Sequence, residues 1–114
     1  MPRYIPQQGD FVILTFDPQS GHEQKGRRPA LVISNYLFNK HTGLAIVCPI
    51  TNRDRNVPFH VPVPARSSLT GFIMVEQAKS IDFVSRRIKF IEKAPQETLL
   101  DTIGILDAAI YQKP

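Results

Sequence analysis

The sequence predicts a mainly β protein: a small, strongly bent sheet or barrel closed on one side by a C-terminal α-helix. Three observations point there. Short apolar runs rich in Val, Ile and Phe recur between polar breaks, and the pattern switches to helical period near residue 95. The 114 residues, 42% apolar and 21% charged, suit one domain over residues 1–114 with a modest core.

The apolar runs fall at residues 11–16, 30–34, 44–50, 57–63, 72–75 and 88–91, mostly bounded by Gly, Pro, Asn or Asp, as strands are. Residues 57–64 alternate with period two, but Pro58, Pro62 and Pro64 cannot donate to a ladder, so this run is expected at a sheet edge. Asn39, Lys40, His41, Thr42 and Gly43 make a polar stretch ending in glycine, which reads as a hairpin turn between the second and third strands. From Pro95 onward, Leu99, Ile103, Leu106 and Ile110 share one helical face, with Leu100 beside them. Pro95 suits a first helical turn, and Glu97 lies near the positive end of the helix dipole. Gly104 weakens that helix by about 1 kcal/mol relative to Ala, so its stability depends on docking.

No apolar run approaches the roughly 20 residues needed to span a bilayer. Met1, Pro2, Arg3 and Tyr4 open no signal-peptide apolar region, so a cytoplasmic location and no membrane partner are expected. The lone Cys48, preceded by Ala45, Ile46 and Val47, cannot form an internal disulfide and reads as a small buried hydrophobe. Three scattered histidines and one cysteine make no metal-ligand spacing, so no metal and no cofactor are expected. His22 reads as a solvated loop residue, and His41 and His60 as structural or exposed.

The net charge of +4 is unevenly placed. Residues 1–89 carry twelve Lys/Arg against six Asp/Glu, a balance of +6, whereas residues 90–114 carry two against four, a balance of −2. A body of positive sign favours polyanions, nucleic acid first, and also attracts an acidic protein segment.

The polar signals gather at strand ends. Asp17 closes the first run, Arg28 precedes the second, and Ser34 and Asn35 end it. Thr51 and Arg53 follow the third, and Glu76, Gln77, Lys79 and Ser80 follow the fifth. In a small barrel such loops converge on one rim. A guanidinium held at the mouth of a strand is a planar fork of fixed donors, suited to phosphate. A rim presenting Arg28, Thr51, Arg53, Gln77 and Lys79 would read phosphates and offer hydrogen-bonding groups to bases.

Five segments stand in one order: Gly9-Asp10 leading to Phe16-Asp17-Pro18; Glu23-Gln24-Lys25-Gly26; Arg27-Arg28-Pro29-Ala30; Cys48-Pro49-Ile50-Thr51; and Glu76-Gln77-Ala78-Lys79-Ser80. This series resembles the MazF/PemK family of toxin endoribonucleases over roughly residues 4–110. The resemblance implies a small SH3-like β-barrel of PemK/CcdB type with a C-terminal α-helix. It also implies a homodimer that cuts single-stranded RNA without a metal and is silenced by a cognate acidic antitoxin. Carried over by position, Arg28 and Thr51 are the residues tied to catalysis, and Glu23 is a further contributor. Asp17, Lys25, Arg27, Ser34, Asn35, Arg53, Gln77, Lys79 and Ser80 are the candidates for RNA contact. Residues 52–56 are expected to tune base choice.

The residue types suit that reaction. A ribose 2′-hydroxyl is a tethered nucleophile, so the protein must orient it, move protons and stabilise charge on phosphorus oxygens. Arg28 supplies the last of these, and Thr51 positions phosphate or ribose. Glu23 is the natural general base if its loop folds over the phosphate. Two other readings start from the same barrel: a non-enzymatic toxin that poisons DNA gyrase, and an SH3-like module gripping an acidic peptide. The pairing of Arg28-Pro29-Ala30 with Pro49-Ile50-Thr51 argues against the gyrase poison.

Overall fold

The computed structural model describes residues 3–16, 26–53 and 58–111. Its strands are β1 (Asp10–Thr15), β2 (Arg27–Val32), β3 (Leu44–Thr51), β4 (His60–Pro62), β5 (Phe72–Met74), β6 (Lys79–Asp82) and β7 (Lys89–Lys93). Helix α1 (Tyr36–Thr42) joins β2 to β3, a 3₁₀ turn (Val75–Gln77) joins β5 to β6, and helix α2 (Gln96–Tyr111) follows β7. Every pairing is antiparallel, in the order β4-β5-β3-β2-β1-β7, with β6 added to β3.

Strand β3 is the hub. One of its edges meets β2 through Val47, Cys48 and Pro49. The other is divided: Leu44 to Val47 pair with β6, and Ile50 and Thr51 pair with β5. This division curls the sheet about the 3₁₀ turn into a small barrel-like fold. It stays open, because among the described residues the terminal strands β4 and β7 do not pair with each other. A register shift between Phe11 and Val12 on β1 marks a bulge, which bends the strand further.

Period-two alternation sends successive side chains to opposite faces, and here both faces are covered. Phe11, Leu31, Cys48, Ile50 and Ile73 pack on the side of α2, with Leu99. Val12, Leu14, Ala30, Val32, Ala45 and Val47 pack on the other side, with Ile81 and Phe83. Two covered faces explain why these runs read as nearly continuous apolar sequence. Each large side chain so buried contributes about 1.5–3 kcal/mol. Among the described residues strand β4 pairs with β5 alone, so the described part of the proline-bearing run does lie at an edge.

Three elements differ from expectation. The stretch ending at Gly43 is the end of a helix and not a hairpin turn. Asn35 caps α1 by accepting the Phe38 N–H at 2.9 Å, and Gly43, at φ 74°, closes it by donating to the Asn39 carbonyl at 3.0 Å. Asn39 looked like a turn residue because it is polar. It is fully buried, donating to the carbonyls of Pro6 and Ser34 and accepting from the Ser34 hydroxyl. A buried amide with every bond satisfied stabilises an interior as a turn signal cannot reveal.

Residues 79–82 form β6 along the first half of β3, so Lys79 and Ser80, expected in a loop, lie on a strand. The apolar stripe of α2 packs only in part: Leu99 is buried and Ile103 and Leu106 rest against the core, whereas Ile110 and the adjoining Leu100 are more than half exposed, and Thr98 and Thr102 are buried beside them. Thr102 enters the interior because its hydroxyl donates to the Thr98 carbonyl at 2.9 Å. Among the described residues no helix is long and apolar enough to cross a membrane.

Candidate active site

The ends of β2, β3 and β5 and the 3₁₀ turn surround an open cleft of about 760 Å³. Its position follows from the pairing of β2 with β3. The outermost described pair is Ala30 with Pro49. Two residues further out stand Arg28 on one strand and Thr51 on the other, so both side chains fall on the same face. Both line the cleft, together with Arg53, Gln77 and Lys79. The predicted rim residues are therefore brought together.

The same alternation separates two neighbouring arginines. Arg27 pairs across the sheet with Thr15, and Arg28 with Leu14. Arg27 turns away and donates to the Thr15 hydroxyl at 3.1 Å and the Arg87 carbonyl at 3.0 Å. On the same side the Arg86 guanidinium reaches the Phe16 carbonyl at 2.5 Å. These bonds tie the two strands where they leave the sheet. Arg28 is exposed, and its guanidinium has no hydrogen-bond or ion-pair partner among the described residues. A fork of donors left open in a cleft is available to an incoming anion.

Thr51 is half-buried, and its hydroxyl oxygen accepts the Arg53 N–H at 3.2 Å. That bond leaves the hydroxyl hydrogen free to donate into the cleft. Asn52 is steadied beside it by the Thr70 hydroxyl at 3.0 Å. Gly71 is required here: a Cβ would stand 2.4 Å from the Thr51 carbonyl oxygen, and its φ of 120° suits few other residues. Lys79 lies over the Phe16 ring, 4.9 Å from its centroid, so an aromatic face and a cation stand together on the cleft wall.

The remaining expected residues lie elsewhere. Ser34 is buried, its hydroxyl bonded to Asn39 and to the Ile46 N–H; Asn35 is the α1 cap; Ser80 is exposed on β6 opposite Ile46, outside the cleft lining. Asp17, Glu23 and Lys25 fall outside the described residues, as does part of the 52–56 segment. Cys48 points into the core, and burial, then the charge of Glu76, push its thiol up to about 12. It is a packed hydrophobe.

Two cleft residues were not assigned there from sequence. His60 and Glu76 line the cleft, and the His60 Nε2 lies 3.0 Å from a Glu76 carboxylate oxygen. The signal that could have found them is register. His60 on β4 faces Met74 on β5, two residues before Glu76. Among the described residues the cleft thus holds three cations, Arg28, Arg53 and Lys79, against one carboxylate.

A cation-rich cleft with an aromatic wall, set at the strand ends of a small barrel-like sheet, defines a protein built to hold a polyanion. The chain belongs to the family of PemK-like, MazF-like toxins of type II toxin-antitoxin systems, which it matches over residues 7–108. It is 37% identical over 84 residues to the endoribonuclease toxin MazF of Escherichia coli K12, covering 74% of this chain and 75% of that one. It is 38% identical over 109 residues to the endoribonuclease toxin ChpB of the same organism, covering 91% and 93%. Its fold is similar to a chain of a MazE-MazF crystal structure from Deinococcus radiodurans, with a TM-score of 0.86 at 38% identity over 94% of this chain and 97% of that one.

Proposed function

We propose that this chain is the toxin of a type II toxin-antitoxin system and a metal-independent endoribonuclease that cuts single-stranded RNA at selected sequences. The observation that carries the reading is the Arg28 guanidinium, unpartnered among the described residues, lining a cationic cleft with the Thr51 hydroxyl. Membership of the family and likeness to relatives named endoribonucleases support it.

In this reading the O2′ of one ribose forms a bond to the adjacent phosphorus, and its proton passes to a base. The P–O5′ bond breaks and O5′ takes up a proton, leaving a 2′,3′-cyclic phosphate and a 5′-hydroxyl. Arg28 donates to the non-bridging oxygens as negative charge grows on them. Thr51 donates its free hydroxyl hydrogen to the same phosphate or the ribose and holds the attacking oxygen in line. Glu23 is the proposed proton acceptor. Arg53, Gln77 and Lys79 hold the flanking nucleotides, with Asp17 and Lys25 in the adjoining segment.

The protein works as a homodimer of one-domain chains in the cytoplasm, held inactive by an acidic antitoxin whose tail covers the cationic cleft. A MazE-MazF assembly among the similar structures supports that partner. Replacing Arg28 with Ala is expected to lower the cleavage rate by about 10²–10³ while the fold is kept. Single-turnover cleavage with circular dichroism checks it, and a folded variant that cuts at the wild-type rate would overturn the assignment.

A further inference from the structure

Glu76 has no evident place in a phosphate-binding cleft. Its carboxylate lines the same cleft as Arg28, Arg53 and Lys79, whose charges attract the phosphate that a carboxylate repels. Yet the fold holds it firmly. The 3₁₀ turn carrying it is bonded to the residue just before β4, the Val75 N–H donating to the Phe59 carbonyl at 3.3 Å, and is closed on itself by the Ala78 N–H at 3.1 Å. His60 completes the hold. Its side chain is 4% exposed, and its Nε2 meets Glu76, which is 33% exposed.

The other ring nitrogen, Nδ1, is buried with no partner among the described residues. A hydrogen on Nδ1 would be an orphaned donor, so the favoured tautomer places the hydrogen on Nε2, donating to Glu76. His60 is thereby committed to orienting the carboxylate, whose remaining lone pairs face the cleft.

Position separates Glu76 from the reacting phosphate. Arg28 lies on β2, at one edge of β3, and Glu76 follows β5, at the opposite edge. Two inter-strand spacings, about 10 Å, lie between them. A phosphate held by Arg28 therefore leaves Glu76 to a neighbouring nucleotide. There an ionised carboxylate can only accept hydrogen bonds.

We propose that Glu76, positioned by His60, is a specificity-determining residue that reads a base through an exocyclic amino group on its Watson–Crick edge. Guanine, adenine and cytosine qualify, and the amino group of cytosine is a recognised partner for Glu. The inference rests on the ribonuclease reading of the same cleft.

The test maps cut ends on a long single-stranded RNA for wild type, Glu76→Gln, His60→Ala and His60→Gln. Wild type is expected to prefer an amino-bearing base at one position beside the cut. Glu76→Gln should lose about tenfold or more of that preference, at that position alone. His60→Ala should weaken the same preference, and His60→Gln, which keeps an N–H donor, should restore most of it. A second measurement needs no folded variant: in short substrates, inosine replaces guanosine, purine replaces adenine, or pyrimidin-2-one replaces cytosine at the preferred position. Wild-type cutting should fall by the same factor.

An unchanged preference in Glu76→Gln, an equal loss at all sites, or indifference of wild type to the missing amino group would each overturn the proposal. Wild type that cuts no RNA would remove the ribonuclease reading with it. Wild type that cuts with a preference independent of Glu76 would remove this inference alone.

Discussion

Arg27 and Arg28 are adjacent and chemically identical, yet one is structural and the other open to a ligand. Alternation along β2 decides which: Arg27 is used up on Thr15 and the Arg87 carbonyl, and Arg28 is left facing the cleft. Arg28 and Thr51 were legible in the sequence because each sits in a short local pattern at a strand end. Glu76 was legible only as one member of a polar strand-end segment, and its pairing with His60 was not, because the two lie sixteen positions apart and meet through the β4–β5 register. Gly71 was equally silent, since nothing local shows that the Thr51 carbonyl presses against it. Gly71→Ala is expected to destabilise the fold by about 1–3 kcal/mol, through a strained φ and a contact that must open. Urea unfolding checks this. A variant as stable as wild type would mean that the strand exit carrying Thr51 yields more easily than its geometry implies.

At the scale of elements, the strands were largely readable and the connections were not. Buried runs of β-branched and aromatic residues announce β1, β2 and β3 whatever surrounds them. Helix α1 escaped notice because its polar residues match a turn composition, and only the tertiary burial of Asn39 selects a helix. Strand β6 was hidden for the opposite reason: Lys79, Ser80 and Asp82 are exposed, and Ile81 alone is buried. On α2 the stripe was legible at Leu99, Ile103 and Leu106, which meet the core, but not in its edges: Leu100 and Ile110 stay exposed, and Thr98 and Thr102 lie in the interior. The cap on α1 gives a direct check. Asn35→Ala should cost about 1 kcal/mol in a denaturation midpoint experiment, and Asn35→Asp, which can accept the same Phe38 N–H, should recover most of it. Equal losses in both variants would show that Asn35 does more than cap.

Across the whole molecule, one strand couples fold to function. β3 carries Cys48 and Ile50 into the core and delivers Thr51 to the cleft, while β2 and β5 on its two edges bring Arg28 and the Glu76 turn. The excess of cations over residues 1–89 foretold a polyanion partner, and the fold concentrates three of those cations at one opening. What charge alone could not supply is the arrangement on which the proposed cleavage rests: a guanidinium and a hydroxyl lining one cleft from adjacent strands. The measurement that tests this most directly incubates wild type and Arg28→Ala with a long single-stranded RNA in excess EDTA and analyses the ends produced. Discrete cuts bearing 5′-hydroxyl and 2′,3′-cyclic phosphate termini, made by wild type and absent with the folded variant, are the expected result. Cuts that need a divalent metal, that leave 5′-phosphates, or that both proteins make equally would contradict the account.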